Sequence, residues 1–260
     1  MKKMICVALL CVIAAFASRH VYGADAQPDP GPGPGKAGKL LFEDDFARSA
    51  MSPKWRTGKG TWEIKDGVVT ATEKAEDKHA AYAYISPNVE YKDIVAEYSF
   101  KFGHATKIHL MMEDNKYKGA HAGHIIRASI FPNQVELADM KFGNMKLEYF
   151  EKLNDPKATA EEKKAIREKI KDKSAAFKFP FDPSEWHQAR VEVVGDEMLL
   201  SIDGKVAAYF KSEGVDHPTK NMIGFTIGNQ GEVRSLKVWE ASTSPEWASR
   251  KSEVVAGLKK

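Results

Sequence analysis

Met198-Leu199-Leu200-Ser201-Ile202-Asp203-Gly204-Lys205-Val206-Ala207-Ala208-Tyr209-Phe210 is the stretch that decides the fold class. Two runs of strand-forming residues flank an Asp-Gly pair, the dipeptide that best meets the two positive φ angles of a type I′ hairpin turn. The same arrangement occurs upstream, where Asp66-Gly67 separates Trp62-Glu63-Ile64 from Val68-Val69-Thr70. Between the hairpins, Ile94, Ala96, Tyr98, Phe100 and Phe102 alternate with Val95, Glu97, Ser99 and Lys101. A period of two places the aromatic stripe inward and the polar residues on the opposite face of a strand. Val191 and Val193 alternate with Arg190 and Glu192 in the same way, and a last strand, Val233 to Trp239, follows the turn residues Gly228-Asn229-Gln230-Gly231. The chain reads as an all-β sandwich of antiparallel hairpins.

One segment departs from this pattern. Thr159-Ala160-Glu161-Glu162 has the spacing of a capping box, and the residues through Lys173 are rich in helix formers. A helix of about 15 residues, near 22 Å long, is expected there. Its apolar stripe, Ile166, Ile170 and Ala165, is narrow, so the helix reads as a solvated insertion over about 148–176 lying on the sandwich. Ser244-Pro245-Glu246 supplies a cap and a first-turn proline for a short C-terminal helix in a peripheral tail over 242–260.

At the other end, Lys2 and Lys3 precede an apolar run from Met4 to Ala17, then small residues suited to cleavage after Gly23 or Ala26. This is the pattern of a secretory signal peptide over 1–23, too short for a permanent membrane helix, so an exported protein, periplasmic or extracellular, is expected. Pro28-Asp29-Pro30-Gly31-Pro32-Gly33-Pro34-Gly35 reads as a spacer within a linker over 24–38, before a sandwich domain over 39–241. Cys6 and Cys11 both leave with the signal, so the mature chain has no thiol for a disulfide, a zinc-thiolate site or a nucleophile. Removing Lys2, Lys3 and Arg19 takes the formal charge from +3 to 0. That balance offers no electrostatic case for nucleic acid or an anionic membrane surface. Oligomeric state is not legible from the sequence.

Leu41-Phe42-Glu43-Asp44-Asp45-Phe46, Trp55, Gly60 to Val68, Tyr91-Lys92-Asp93-Ile94, Trp186 to Val193, Ile202-Asp203-Gly204, Ile223-Gly224-Phe225 and Val233 to Val238 occur in an order that resembles the bacterial 3-keto-disaccharide hydrolase domain family. The resemblance implies a concanavalin A-like jelly roll, similar to glycoside hydrolase family 16, and hydrolysis or elimination at glycosides oxidised to a ketone at sugar carbon 3. It spans most of the folded unit, mainly through framework residues. Where the family usually has an arginine after its first long core strand, this chain has Met111, and no histidine follows Ile223-Gly224-Phe225.

Candidate chemistry is concentrated between residues 97 and 139. Glu136 and Asp139 are the nearest approach to a carboxylate pair. A retaining glycosidase needs its two carboxyl groups about 5 Å apart, and residues three apart on a regular strand face opposite sides unless a bulge intervenes. His104, His109, His121 and His124 cluster within 21 residues. Histidine suits a general base for the soft proton beside a ketone, and His121 and His124 with Glu113 or Asp114 suit a divalent metal; Asp114-Asn115 would present oxygen ligands to calcium. Surface or loop packing is the plainer reading of the same histidines. If Ile108, Leu110 and Met112 face the core, His109, Met111 and Glu113 face out, and Glu97, His109, Arg127 and Glu136 would form a polar floor for a sugar, with Arg127 polarising its ketone. The expected roles are thus catalysis for His109, His124, Glu136 and Glu97, and substrate binding for Arg127, Lys101 and Asp139. A solvated outer sheet face explains the same pattern without function. Three functions remain in view: a carbohydrate-directed hydrolase or lyase, a non-catalytic glycan-binding or envelope-associated module, and a structural or interaction protein whose helical insertion and tail contact a partner.

Overall fold

The computed structural model describes residues 31–86 and 90–258, so the expected signal peptide lies outside the described residues. Fifteen strands and three α-helices follow one another: β1 Gly35–Asp44, β2 Trp55–Lys59, β3 Thr61–Lys65, β4 Val68–Thr72, β5 Ala81–Ile85, β6 Ile94–Lys101, β7 Lys107–Glu113, β8 His124–Phe131, β9 Gln134–Asp139, α1 Leu147–Asn154, α2 Ala160–Lys169, β10 Ser174–Lys178, β11 Trp186–Val194, β12 Glu197–Ile202, β13 Lys205–Lys211, β14 Met222–Gly228, β15 Gln230–Thr243 and α3 Trp247–Leu258. The strands form two sheets. One has eight strands in the order β13-β12-β11-β6-β15-β4-β3, with β1 paired to β15; the other has seven, in the order β10-β9-β8-β7-β14-β5-β2.

Both Asp-Gly turns form as their sequence demands. Asp66 and Gly67 have φ of 52° and 77°, and Asp203 and Gly204 have 49° and 71°. The first pair closes β3 onto β4 and the second closes β12 onto β13. Both hairpins stay in one sheet: β3 and β4 pair in unbroken register, whereas β12 and β13 shift between Leu200 and Ser201, which puts Ala207 and Ala208 both in the core. The link from β14 to β15 instead passes through Asn229, at φ 60°, and carries the chain from the seven-stranded sheet to the eight-stranded one.

The inward stripe of β6 is fully buried: Ile94, Ala96, Tyr98, Phe100 and Phe102 are all at most 1% exposed. It meets Ile108, Leu110 and Met112 of β7, Ile126, Ala128 and Ile130 of β8, and Ile223, Phe225 and Ile227 of β14 in a single core. Tyr98 packs edge-on to Phe225 at 5.1 Å, and Phe225 stacks on Trp55 at 6.2 Å. Ring contacts of this kind add about 0.5–1.5 kcal/mol each beyond the apolar area they bury. Trp55 is fixed at its polar end as well, since its Nε1 donates to Asp44, which also takes two hydrogen bonds from Arg48. Burial pushes the Asp44 carboxyl up, but the hydrogen bonds from Arg48, Trp55 and the Phe46 amide outweigh it and hold the group below its ordinary value.

The insertion is two short helices rather than one of about 15 residues. The Thr159 cap is complete, with Glu162 N donating to Thr159 Oγ1 and Thr159 N to the Glu162 carboxylate. Yet α2 stops at Lys169, and Ser174 to Lys178 pairs with β9 as an edge strand. Ala175 and Phe177 alternate against the core there, a two-residue pattern hidden by the helix propensity of the adjacent alanines. The proline-glycine stretch does not end outside the domain: Gly35 opens β1, and its amide donates to Glu192. At the other end, α3 buries Trp247 and Val254 against Leu199.

Candidate active site on the seven-stranded sheet

Since Ile108, Leu110 and Met112 enter the core, the alternate residues of β7 emerge on the outer face of the seven-stranded sheet, and β7 is its central strand. Register then fixes their neighbours. Thr226, His109, Ser129 and Glu136 form one transverse row across β14, β7, β8 and β9, while Gly224, Met111, Arg127 and Ala138 form the next. Tyr82 continues the first row onto β5, and Tyr84 continues the second. His109, Arg127 and Glu136, expected on one polar floor, are brought together.

His124 joins this face only because β8 is irregular. Ile126 pairs with Met112, but Glu113 pairs with His124, so Ile125 is an extra residue in β8. Ile125 and Ile126 both enter the core, and His124 returns to the same face as Arg127 although the two are three residues apart. His124 Nδ1 lies 2.6 Å from Glu113 Oε1, a close contact off the axis of an aligned ring hydrogen bond. Beside it, His121 stacks on Phe150 of α1 with centroids 3.7 Å apart. Burial lowers the His121 pKa and the nearby His124 lowers it further.

Glu97 and Lys101 do not share this floor. Their strand sends Tyr98 and Phe100 into the core from the opposite sheet, so both emerge on the far outer face of the sandwich. Glu97 is held there by Arg190 at 2.5 Å. Alternation alone put Glu97 on a polar face but could not say which sheet that face belonged to. Asp139 is also turned away: its side chain accepts hydrogen bonds from Ser212 Oγ and from the amides of Gly214 and Phe142, and the residue is 1% exposed. No bulge realigns it with Glu136 in β9, whose pairing with β8 is regular throughout.

The proposed metal ligands separate into different contacts. Asp114 accepts from His217 at 3.1 Å and from the Lys116 amide and Asn221 side chain. Glu113 faces His124, and His121 faces Phe150. Among the described residues, no group of three or more His, Cys, Asp or Glu side chains is placed to share an ion.

Polar atoms on the floor are short of partners. His109 is 5% exposed, and its Nδ1, the Ser129 Oγ opposite and the Arg127 Nε are buried with no hydrogen-bond partner among the described residues. Of the His109 ring nitrogens, Nδ1 is the buried one, which leaves Nε2 as the atom turned toward the open face. Burial lowers the His109 pKa well below the ordinary value, and the charges of Arg127 and Lys107 lower it further, so the ring is neutral at neutral pH. Arg127 reaches Glu136 through one guanidinium nitrogen at 2.7 Å, with both side chains about a fifth exposed.

Aromatic rings complete the surface. Tyr82 and Tyr84 are half-buried and stack at 6.3 Å with planes 15° apart. Gly224 separates Tyr84 from Met111; a Cβ there would lie 2.2 Å from the Ala83 carbonyl oxygen and 2.7 Å from Tyr84 Cβ, so only glycine lets the strands approach. The tyrosines escaped the sequence reading, although Ala81, Ala83 and Ile85 alternate with them. Beyond β9, a cavity of about 230 Å³ opens between Arg127, Glu136 and Ala138 on the sheet and Arg167 and Ile170 of the insertion.

No curated protein matches the sequence at a significant level. Solved structures agree in fold: a laminarinase from Rhodothermus marinus at 11% identity and TM-score 0.56, covering 80% of this chain and 99% of that one. An endo-beta-1,3-glucanase from Pyrococcus furiosus gives 12% and 0.51, covering 79% and 95%. SCLam, a non-specific endo-beta-1,3(4)-glucanase from family GH16, gives 12% and 0.53, covering 84% and 98%. At such identities the likeness speaks for the jelly roll alone. The sequence itself matches the 3-keto-alpha-glucoside-1,2-lyase-like domain over residues 41–239, so this chain belongs to that family and has the fold of a carbohydrate-active hydrolase or lyase.

Proposed function

We propose that the protein is an exported lyase or hydrolase acting on a glycoside oxidised to a ketone at carbon 3, with its reacting centre at His109 and Arg127. The observation that carries this reading is a neutral histidine presenting Nε2 on the central strand of the open face, diagonal to an arginine with an unpartnered Nε. A ketone at carbon 3 makes the proton on carbon 2 acidic. His109 Nε2 takes that proton, the electron pair forms the enolate, and Arg127 holds the developing negative charge on the ketone oxygen. Collapse of the enolate expels the glycosidic oxygen from carbon 1, and that oxygen receives the proton from His109. Water adding to the resulting enone would complete a net hydrolysis.

Two-carboxylate hydrolysis fits less well. The carboxylates on this face, Glu113 and Glu136, stand on β7 and β9 with β8 between them. Two strand spacings already separate them by about 10 Å, and they are offset along the strands as well. Retaining enzymes need about 5 Å and inverting enzymes no more than about 9.5 Å. Each is moreover paired, Glu113 with His124 and Glu136 with Arg127. Glu136 positions Arg127 in this scheme, while His124 and the Tyr82–Tyr84 pair flank the centre as contacts for the second sugar.

Incubation with a 3-keto-glucoside in deuterated buffer tests the proposal. The wild-type chain should exchange the carbon 2 proton and release the aglycone, and His109→Gln should do neither while binding the sugar. Equal turnover by His109→Gln would remove the histidine from the chemistry. Saccharide binding without exchange or release would favour a glycan-binding module on the same face.

A further inference from the structure

The cavity beside Arg127 is walled by the sheet and its following loop on one side and by the insertion on the other, and its charge is unbalanced. Its lining carries the cationic side chains of Arg127, Arg167, Lys171 and Lys173 against the carboxylates of Glu136 and Asp139. Glu136 offsets the charge of Arg127, which leaves Arg167, Lys171 and Lys173 on the rest of the lining against Asp139 alone. Asp139 directs its carboxylate at Ser212, Gly214 and Phe142, and Glu136 is held by Arg127. On the cationic side, Lys171 is engaged by Glu168 along the helix. Lys173 has only the distant Glu213, 3.8 Å away and 76% exposed. Arg167 makes no hydrogen bond or ion pair among the described residues. Arg127 adds a buried Nε without a partner.

Position matters as much as charge. Arg127 and Glu136 belong to both the floor and the cavity, so the cavity is continuous with the reacting centre. Its volume of about 230 Å³ lies below the roughly 300–1,000 Å³ of clefts for drug-sized ligands, which suits a single sugar ring or one substituent. Guanidinium groups recognise planar or tetrahedral oxyanions through paired N–H donors, which a neutral hydroxyl cannot match.

We propose that this cavity is a subsite for an anionic substituent on the saccharide, the carboxylate of a uronic acid or a sulfate ester, gripped by Arg167 and Lys173 next to Arg127. The inference rests on the carbohydrate reading above and narrows its substrate class to acidic sugars.

Calorimetric titration of the full chain with methyl α-D-glucuronide, glucose 6-sulfate and methyl α-D-glucoside tests it. An acidic sugar should bind roughly tenfold or more tightly than the neutral glucoside at low salt, the gain expected of charge-assisted hydrogen bonds. Raising the salt to 0.5 M (roughly a 4 Å Debye length) should shrink that preference. Arg167→Ala combined with Lys173→Ala should abolish it and leave the glucoside unchanged; Arg167→Gln alone, at an exposed helix position, guards against a folding artefact. Whichever acidic sugar binds better identifies the substituent. Inorganic sulfate competing as well as either sugar would reduce the cavity to a simple anion site and overturn the proposal. Equal binding of acidic and neutral sugars, or binding of none while a 3-keto-glucoside is still turned over, would overturn this inference and leave the carbohydrate reading standing, whereas binding of none together with no turnover would overturn both.

Discussion

The two outer faces of this sandwich are made of similar residues and have opposite character. On the eight-stranded sheet, polar groups answer one another: Arg190 bridges Glu97 and Glu192, Glu192 also receives the Gly35 amide, and Arg234 lies 4.1 Å above the Trp186 ring. On the seven-stranded sheet, His109, Ser129 and Arg127 each keep a buried polar atom without a partner among the described residues. Burying such an atom unpaired costs about 1–3 kcal/mol. The eight-stranded face keeps two such atoms of its own, Ser201 Oγ and Tyr209 Oη, whereas the three on the seven-stranded face stand at neighbouring positions of β7 and β8, where one ligand can reach them together.

Breaking the open face at its centre should have the largest effect. His109→Gln is expected to lower turnover of a 3-keto-glucoside by about 10²–10⁴-fold, the usual contribution of a positioned base, in steady-state assays. Arg190→Ala tests the closed face. It leaves Glu192, 1% exposed in its side chain, with the Gly35 amide as its remaining partner, and should lower stability by about 3 kcal/mol in urea titration while saccharide binding persists.

A smaller effect should separate the faces by pH. Below about pH 6.5 the unfolded chain protonates His109 while the folded chain resists, so the unfolded state binds more protons. Stability contributed by this group is therefore complete above that pH and falls as the pH drops, by at most about 1.4 kcal/mol per unit. His109→Gln should flatten that part of the slope in thermal melts between pH 7 and 5; His121 and His217, also lowered by burial, keep their share in both proteins. The acid limb of the turnover profile should likewise lie below pH 6.5, because His109 must be neutral to accept a proton. The smallest effect concerns the wall of the cavity: Thr159→Ala removes the α2 cap and should cost about 1 kcal/mol in the same melts.

What the sequence disclosed follows from what periodicity encodes. A period of two names the residues that share a face of one strand, so the stripe of β6, the outward set of β7 and both Asp-Gly hairpins were legible. It carries no record of which sheet a strand enters. By periodicity alone Glu97 therefore groups with Glu136, although the two point away from opposite sides of the core. Nor does it reveal an extra residue: the bulge at Ile125, which restores His124 to the face of Arg127, looks in the sequence like an ordinary apolar pair. Edge strand β10 escaped because alanine-rich segments favour helix until a neighbouring strand supplies the hydrogen bonds. The cationic cavity escaped for a related reason, since Arg167 and Arg127 are 40 positions apart and meet only when the insertion folds back over β9.

Both described chain ends gather on the closed face. Gly35 meets Glu192, the Ser244 amide donates to the Pro34 carbonyl, and Arg250 of α3 donates to Pro32. A fusion partner, affinity tag or surface linker joined ahead of this segment would leave from the side of the sandwich opposite His109. Immobilised that way on a bead or a sensor chip, the protein should display the face that carries His109 to the solution, a practical route to the binding measurements proposed above.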